Sequence, residues 1–71
     1  MRKLQELTDP NSCLNKAHED ELLFVLLARD PAAPVAIRAW INERCRLGKN
    51  SPDDAQIEEA EQCARRMESH D

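Results

Sequence analysis

Seven consecutive apolar residues, Leu22-Leu23-Phe24-Val25-Leu26-Leu27-Ala28, interrupt a chain in which 34% of residues are charged. An element that sits on a protein surface keeps one polar side. This segment has none. A helix through it is apolar all round and must be covered all round. The 71 residues of the chain leave little material to supply that cover. Domains of this size bury only about 60% of their unfolded surface. Leu, Ile, Val and Phe together make up about a fifth of the chain, the lower edge for a globular protein. The sequence therefore predicts that Leu22, Leu23, Phe24, Leu26 and Leu27 form an interface. The chain is expected to be a homo-oligomer or to dock on a partner.

Local signals predict an all-α fold, a small bundle of three main helices. The first spans about 21–29. Asp20 suits its N-cap and Glu21 its positive end, and Val25 is its sole β-branched residue. Periodicity cannot type so short an apolar run, and a strand stays open there. Asp30-Pro31-Ala32-Ala33-Pro34 breaks the element, because the residue before each proline avoids the α region. The second helix spans about 34–47. Ile37, Trp40, Ile41 and Cys45 fall on one face, with Trp40 as the expected core anchor, and Gly48 follows where a left-handed residue ends a helix. The third spans about 52–67, opened by Ser51 as cap and Pro52 in the first turn. Its seam is Ile57, Ala60, Ala64 and Met67.

The short Gly48-Lys49-Asn50 link predicts that the last two helices pack as an antiparallel hairpin. Residues 29–49 carry a local charge of +3 and residues 53–61 one of −5. The basic end of one helix is thus expected against the acidic start of the next. The chain is read as a single domain, 1–71, with 1–11 and 68–71 peripheral or flexible. A short helix within 1–8 carries Leu4 and Leu7 on one side. Ser12 is expected to cap a turn running through Leu14 and Ala17.

Composition excludes several function classes. A net charge of −4 with one Phe, one Trp and no Tyr supports neither phosphate neutralisation nor base stacking. A helix pair over 34–68 could enter a groove, but its second helix opens with Asp53 and Asp54, which repel phosphates. Nucleic acid is not an expected partner. Nor is a membrane, since the apolar run is far shorter than the roughly 20 residues of a span. The start, Met1-Arg2-Lys3-Leu4-Gln5-Glu6-Leu7, lacks the apolar core of a secretion signal. Cys13, Cys45 and Cys63 are odd in number. A reducing cytoplasm is the expected setting, with the three thiols as small buried side chains.

No enzyme is expected. His18 lies five residues from Cys13, on a different helical face, and His70 lies in the tail; no zinc-ligand spacing accompanies them. A nucleophilic cysteine has no base beside it. One glycine cannot build a phosphate loop. Asp53 and Asp54 are explained by the helix dipole. Neither a metal nor a cofactor is expected. A possible anion site remains. Lys16, with Asn15 beside it in the segment 12–17, Arg29 after the apolar run, and Arg38 at the start of a helix, together suit a phosphate or carboxylate. Against it stands the plainer reading of a solvated basic face paired with neighbouring acids.

Ser12-Cys13-Leu14-Asn15-Lys16-Ala17, then Asp20-Glu21, Phe24-Val25-Leu26, Asp30 and Ala33-Pro34, resemble a group of small tailed-phage and prophage proteins. That group has Ser-Cys-Leu-x-Lys-Ala, Asp-Glu-Pro-x-Phe-Val-Leu and Asp-x-x-Ala-Pro. Arg44-x-Arg46-Leu47-Gly48-Lys49-Asn50-x-Pro52-x-Asp54 is similar to it as well. The resemblance covers residues 9–67. It implies a phage origin and the cytoplasm of an infected or lysogenic bacterium, and it transfers no catalytic residue. Where the group often has proline, this chain has Leu22. Proline there fits the first turn of a helix, so the resemblance favours helix over 21–29.

Two functions follow as expectations. The first is a non-enzymatic phage accessory protein that binds a host or phage protein stoichiometrically, in host takeover or anti-defence. The second is an oligomeric sponge for an anionic nucleotide signal such as a cyclic dinucleotide. Purified protein is expected to carry no stoichiometric zinc; elemental analysis finding one zinc per chain overturns the reading of the cysteines.

Overall fold

A computed structural model describes residues 2–69. The readings made for Met1, His70 and Asp71 lie outside the described residues. Among the described residues four helices follow one another: α1 (Lys3–Thr8), α2 (Cys13–Lys16), α3 (Ala33–Arg46) and α4 (Ala55–Glu68). No strand occurs among the described residues. α1 packs on α2, and α3 on α4.

The helix expected over 21–29 does not form. Residues 21–27 run without helix, turn or bend, and a turn follows at 28–29. The reason lies in tertiary packing. Isolated helices shorter than about 12–15 residues are marginal in water and persist by burying one face on a neighbour. Both long helices already face each other, and no described element lies over residues 22–25 to receive such a face.

α3 and α4 shift slightly from their expected bounds. α3 starts at Ala33, with Pro34 in its first turn, and ends at Arg46. Gly48 follows at φ 72°, its N–H donating to Cys45 O at 3.1 Å. A Cβ at Gly48 would meet nothing within 4 Å, so glycine is required there by backbone conformation alone. α4 starts at Ala55, three residues later than expected. Ser51-Pro52-Asp53-Asp54 closes a turn instead, with Asp54 N–H donating to Ser51 O at 3.0 Å. The Asp54 carboxylate, at the N-cap position, faces back into that turn. It accepts from Ser51 N–H at 2.9 Å and Asn50 Nδ2 at 3.0 Å.

Ala33 of α3 and Ile57, Ala60 and Ala64 of α4 are buried. Met67, Ile37, Ile41 and Cys45 are half-buried. No large side chain is fully buried among the described residues. Trp40 departs from its expected role as core anchor. It stays 41% exposed, and the Arg44 guanidinium lies over its ring, 5.6 Å from the centroid, within cation–π range. The ring covers the edge of the helix pair, where small seam residues leave no pocket wide enough to admit it.

Two ionic contacts join α3 to α4. Arg38 donates through Nη1 to Glu68 Oε2 at 2.6 Å and through Nη2 to Glu68 Oε1 at 2.8 Å. It also reaches Glu61 Oε1 from Nη2 at 3.3 Å. The expected pairing of the basic α3 end with Asp53 and Asp54 is not made. Arg44 instead donates to Asn50 Oδ1 at 2.6 Å, and Arg46 pairs with Glu43 on its own helix.

Replacing Ile57 by alanine removes the one branched side chain buried at the seam. Urea denaturation followed by circular dichroism is expected to show a loss of about 2 kcal/mol. Gly48→Ala is expected to cost about 1 kcal/mol through backbone strain alone, with no change in contacts.

Candidate functional site

An apolar residue left in water marks a candidate docking surface only when its neighbours are exposed with it. That condition is met at the strap, residues 22–27. Leu22 is 96% exposed, Phe24 88% and Val25 70%. Leu23 and Leu27 are each about half exposed, and Leu26 is half-buried. The two later helices thus do not cover Leu23 or Leu27. The N–H groups of residues 22–27 make no hydrogen bond among the described residues. The nearest bonds bracket the strap: Glu21 N–H to His18 O, and Asp30 N–H to Leu27 O, each 3.0 Å.

The strap is held at both ends by local chemistry. Upstream, Ser12 caps α2, accepting from Asn15 N–H at 3.2 Å, and donates its hydroxyl to Glu6 O at 2.6 Å. Asn15 Nδ2 donates to Glu6 O and Asp9 O, each at 2.8 Å. These bonds tie α1 to α2. Downstream, Asp30 folds the chain into α3, its carboxylate accepting from Ala32 N–H at 2.9 Å.

The residues expected to form an anion site stand in different settings. The side-chain amide of Asn15 is committed to backbone carbonyls. Arg38 is clamped by two carboxylates. Lys16 is exposed in the last turn of α2. Arg29 is exposed and borders a shallow recess of about 350 Å³ with Asp30, Val35 and Met67. Cys13 is exposed, against the expectation that it is buried, while Cys45 and Cys63 are half-buried. It sits in the first turn of α2, a four-residue helix with no buried residue.

Sequence reasoning missed a second recess of about 640 Å³, lined by Arg2 and Gln5 near α1, Ala28, and Glu59, Cys63 and Arg66 of α4. It is rimmed by both charge signs and combines residues far apart in the chain. No local spacing links Arg2 to Arg66. Ala28, the first residue after the strap, lies at its edge.

The Arg38 clamp has an electrostatic consequence. The paired guanidinium holds the Glu68 carboxyl below the usual glutamate range and Arg38 further into its charged range. The Ser51 hydroxyl likewise lowers Asp53, through the 2.6 Å bond it donates to Oδ1.

No known family model matches the chain, and no curated protein or solved structure is detectably similar to it. No helix among the described residues is long and apolar enough to cross a membrane.

A carboxyl whose pKa falls on folding adds stability that is complete above its unfolded value, about 4.3 for glutamate. That stability is lost as pH falls through the lower folded value. The urea midpoint is therefore expected to drop between about pH 6 and about pH 3, and to drop less in Glu68→Gln. Equal drops in the two proteins would remove the clamp from the account.

Proposed function

We propose that this chain is a non-enzymatic binding protein that works in a stoichiometric protein–protein complex made through residues 22–27. The carrying observation is the near-complete exposure of Leu22 and Phe24 beside an exposed Val25. Burying an exposed Leu or Phe releases about 1.5–3 kcal/mol each, so a partner that covers several of them gains the core of an interface. The resemblance to tailed-phage proteins supports a role in the cytoplasm of an infected bacterium, in host takeover or anti-defence. The complex includes a homo-oligomer of the chain itself.

The helices α3 and α4 form an antiparallel hairpin in this reading. Arg38 near the start of α3 bonds to Glu68 at the end of α4. At the other end Arg44, Asn50 and Asp54 are bonded in series. The hairpin with α1 and α2 is the platform, and the strap is the working surface.

The sponge reading for an anionic nucleotide has weaker support. An anion at Arg38 must displace Glu61 and Glu68, which already satisfy its guanidinium. Asn15 has no free amide hydrogen-bonding capacity to lend without breaking the α1–α2 tie.

Tagged protein recovered from infected bacteria is expected to bring down a stoichiometric protein, either foreign or an untagged copy. The Leu22→Asp, Phe24→Asp double variant is expected to lose it while keeping its helix content. Equal recovery by both overturns the proposal. Calorimetry with cyclic dinucleotides is expected to give no heat; micromolar binding abolished by Lys16→Ala would favour the sponge.

A further inference from the structure

We infer that the strap is self-complementary and that its occupant is a second copy of this chain, paired as an antiparallel strand across a twofold axis. This rests on the reading that residues 22–27 are a binding surface. Three observations carry it. First, the backbone is ready: residues 21–27 run without turn or bend, and the N–H groups of 22–27 have no partner among the described residues. An uncommitted run of this kind is what strand addition uses.

Second, the ends of the strap carry opposite charge. Glu19, Asp20 and Glu21 precede it, and Arg29 follows it, beside an Asp30 whose carboxylate is turned onto Ala32 N–H. An antiparallel copy brings Glu21 near Arg29 of the partner subunit, at the end of the pairing, and does so twice by symmetry. A parallel copy sets Glu21 beside Glu21, and like charges directly opposite each other are destabilising. Register is weakly specified in a strand that is apolar on both faces, so here the end charges select it. Centring the pairing on Val25 brings the acidic end of one strap beside the partner subunit's Arg29 and places Val25 on the twofold axis, facing its own copy. Leu23 then lies opposite Leu27 and Phe24 opposite Leu26, with Ala28 and Arg29 in the turn beyond the pairing.

Third, both ends of the strap limit the pairing to this length. Asp30 N–H is already bonded to Leu27 O in the turn that follows, and Pro31 has no N–H to donate. Glu21 N–H is bonded to His18 O. The free backbone is the apolar stretch and no more. An isologous contact of this kind closes on itself and yields a dimer rather than a fibre.

Light scattering is expected to give twice the monomer mass at high micromolar concentration. Val25→Asp sets two carboxylates face to face and is expected to give a monomer with unchanged helix content. On the native background, Glu21→Arg or Arg29→Glu alone is expected to weaken the dimer by about threefold to tenfold. The two together are expected to restore it. Single cysteines test the register after Cys13→Ser, Cys45→Ala and Cys63→Ala. Val25→Cys is expected to cross-link to itself. Leu23→Cys is not, because its copy lies roughly 13 Å away along the strand, beyond disulfide reach. A mixture of Leu23→Cys and Leu27→Cys chains is expected to cross-link.

A monomer at that concentration overturns the inference. So does a dimer indifferent to Val25→Asp, a charge swap that fails to rescue, or Leu23→Cys cross-linking as readily as Val25→Cys. A monomer whose strap still captures a different protein overturns self-pairing and leaves the proposed function standing. An intact dimer with no strap-dependent capture of any protein overturns both.

Discussion

Small side chains let α3 and α4 approach closely enough that Ala33 and Ala64 lose all contact with solvent. Everything else follows from that approach. A seam built on alanine and one isoleucine is narrow. It holds two helices together without creating room for a large side chain. Trp40 therefore lies at the edge, roofed by Arg44, and the bidentate Arg38–Glu68 contact ties the far end of the pair where the seam runs out.

A narrow seam also settles the fate of the apolar segment. Its residues need a broad apolar wall, and the helix pair offers none. Coiling them into a short helix would save backbone hydrogen bonds but leave the same side chains in water. Short helices without a packed face hold little stability of their own. The segment stays uncoiled, bounded upstream by the His18–Glu21 turn and downstream by the Asp30 turn. Its side chains and its backbone are both left available. The same residues that make the chain a poor self-contained fold are thus the ones left in water.

Local chemistry was legible wherever a signal acts through its own neighbours. Ser12 caps α2, Gly48 ends α3 in the left-handed region, Pro34 sits in the first turn of α3, and Ile57, Ala60 and Ala64 form the buried stripe. The first three depend on contacts within four residues, and the stripe on helical periodicity. Misreadings occur where two signals compete. Ser51-Pro52 looked like a helix start, but Asn50 and Ser51 take the Asp54 carboxylate for the turn, and α4 begins after it. Cys13 reads as a buried thiol by type, yet it is exposed in α2, a helix with no buried residue. Asn15 and Arg38 read as ligand groups by charge and polarity. Their partners, the carbonyls of α1 and the carboxylates of α4, are set by the fold and by no nearby spacing.

The amino-acid sequence by itself determined that two amphipathic helices would form, where a turn would join them, and that an apolar stretch would exceed what so small a chain can enclose. Those are properties of periodicity, capping and composition, which act at short range. Tertiary structure alone decided that this stretch would run uncoiled, that Arg38 would be spent on Glu61 and Glu68, and that Arg2 and Arg66 would share a recess. Each of these depends on which surfaces are left after α3 and α4 have met, and a helix without a neighbour has too little of its own stability to overrule that outcome.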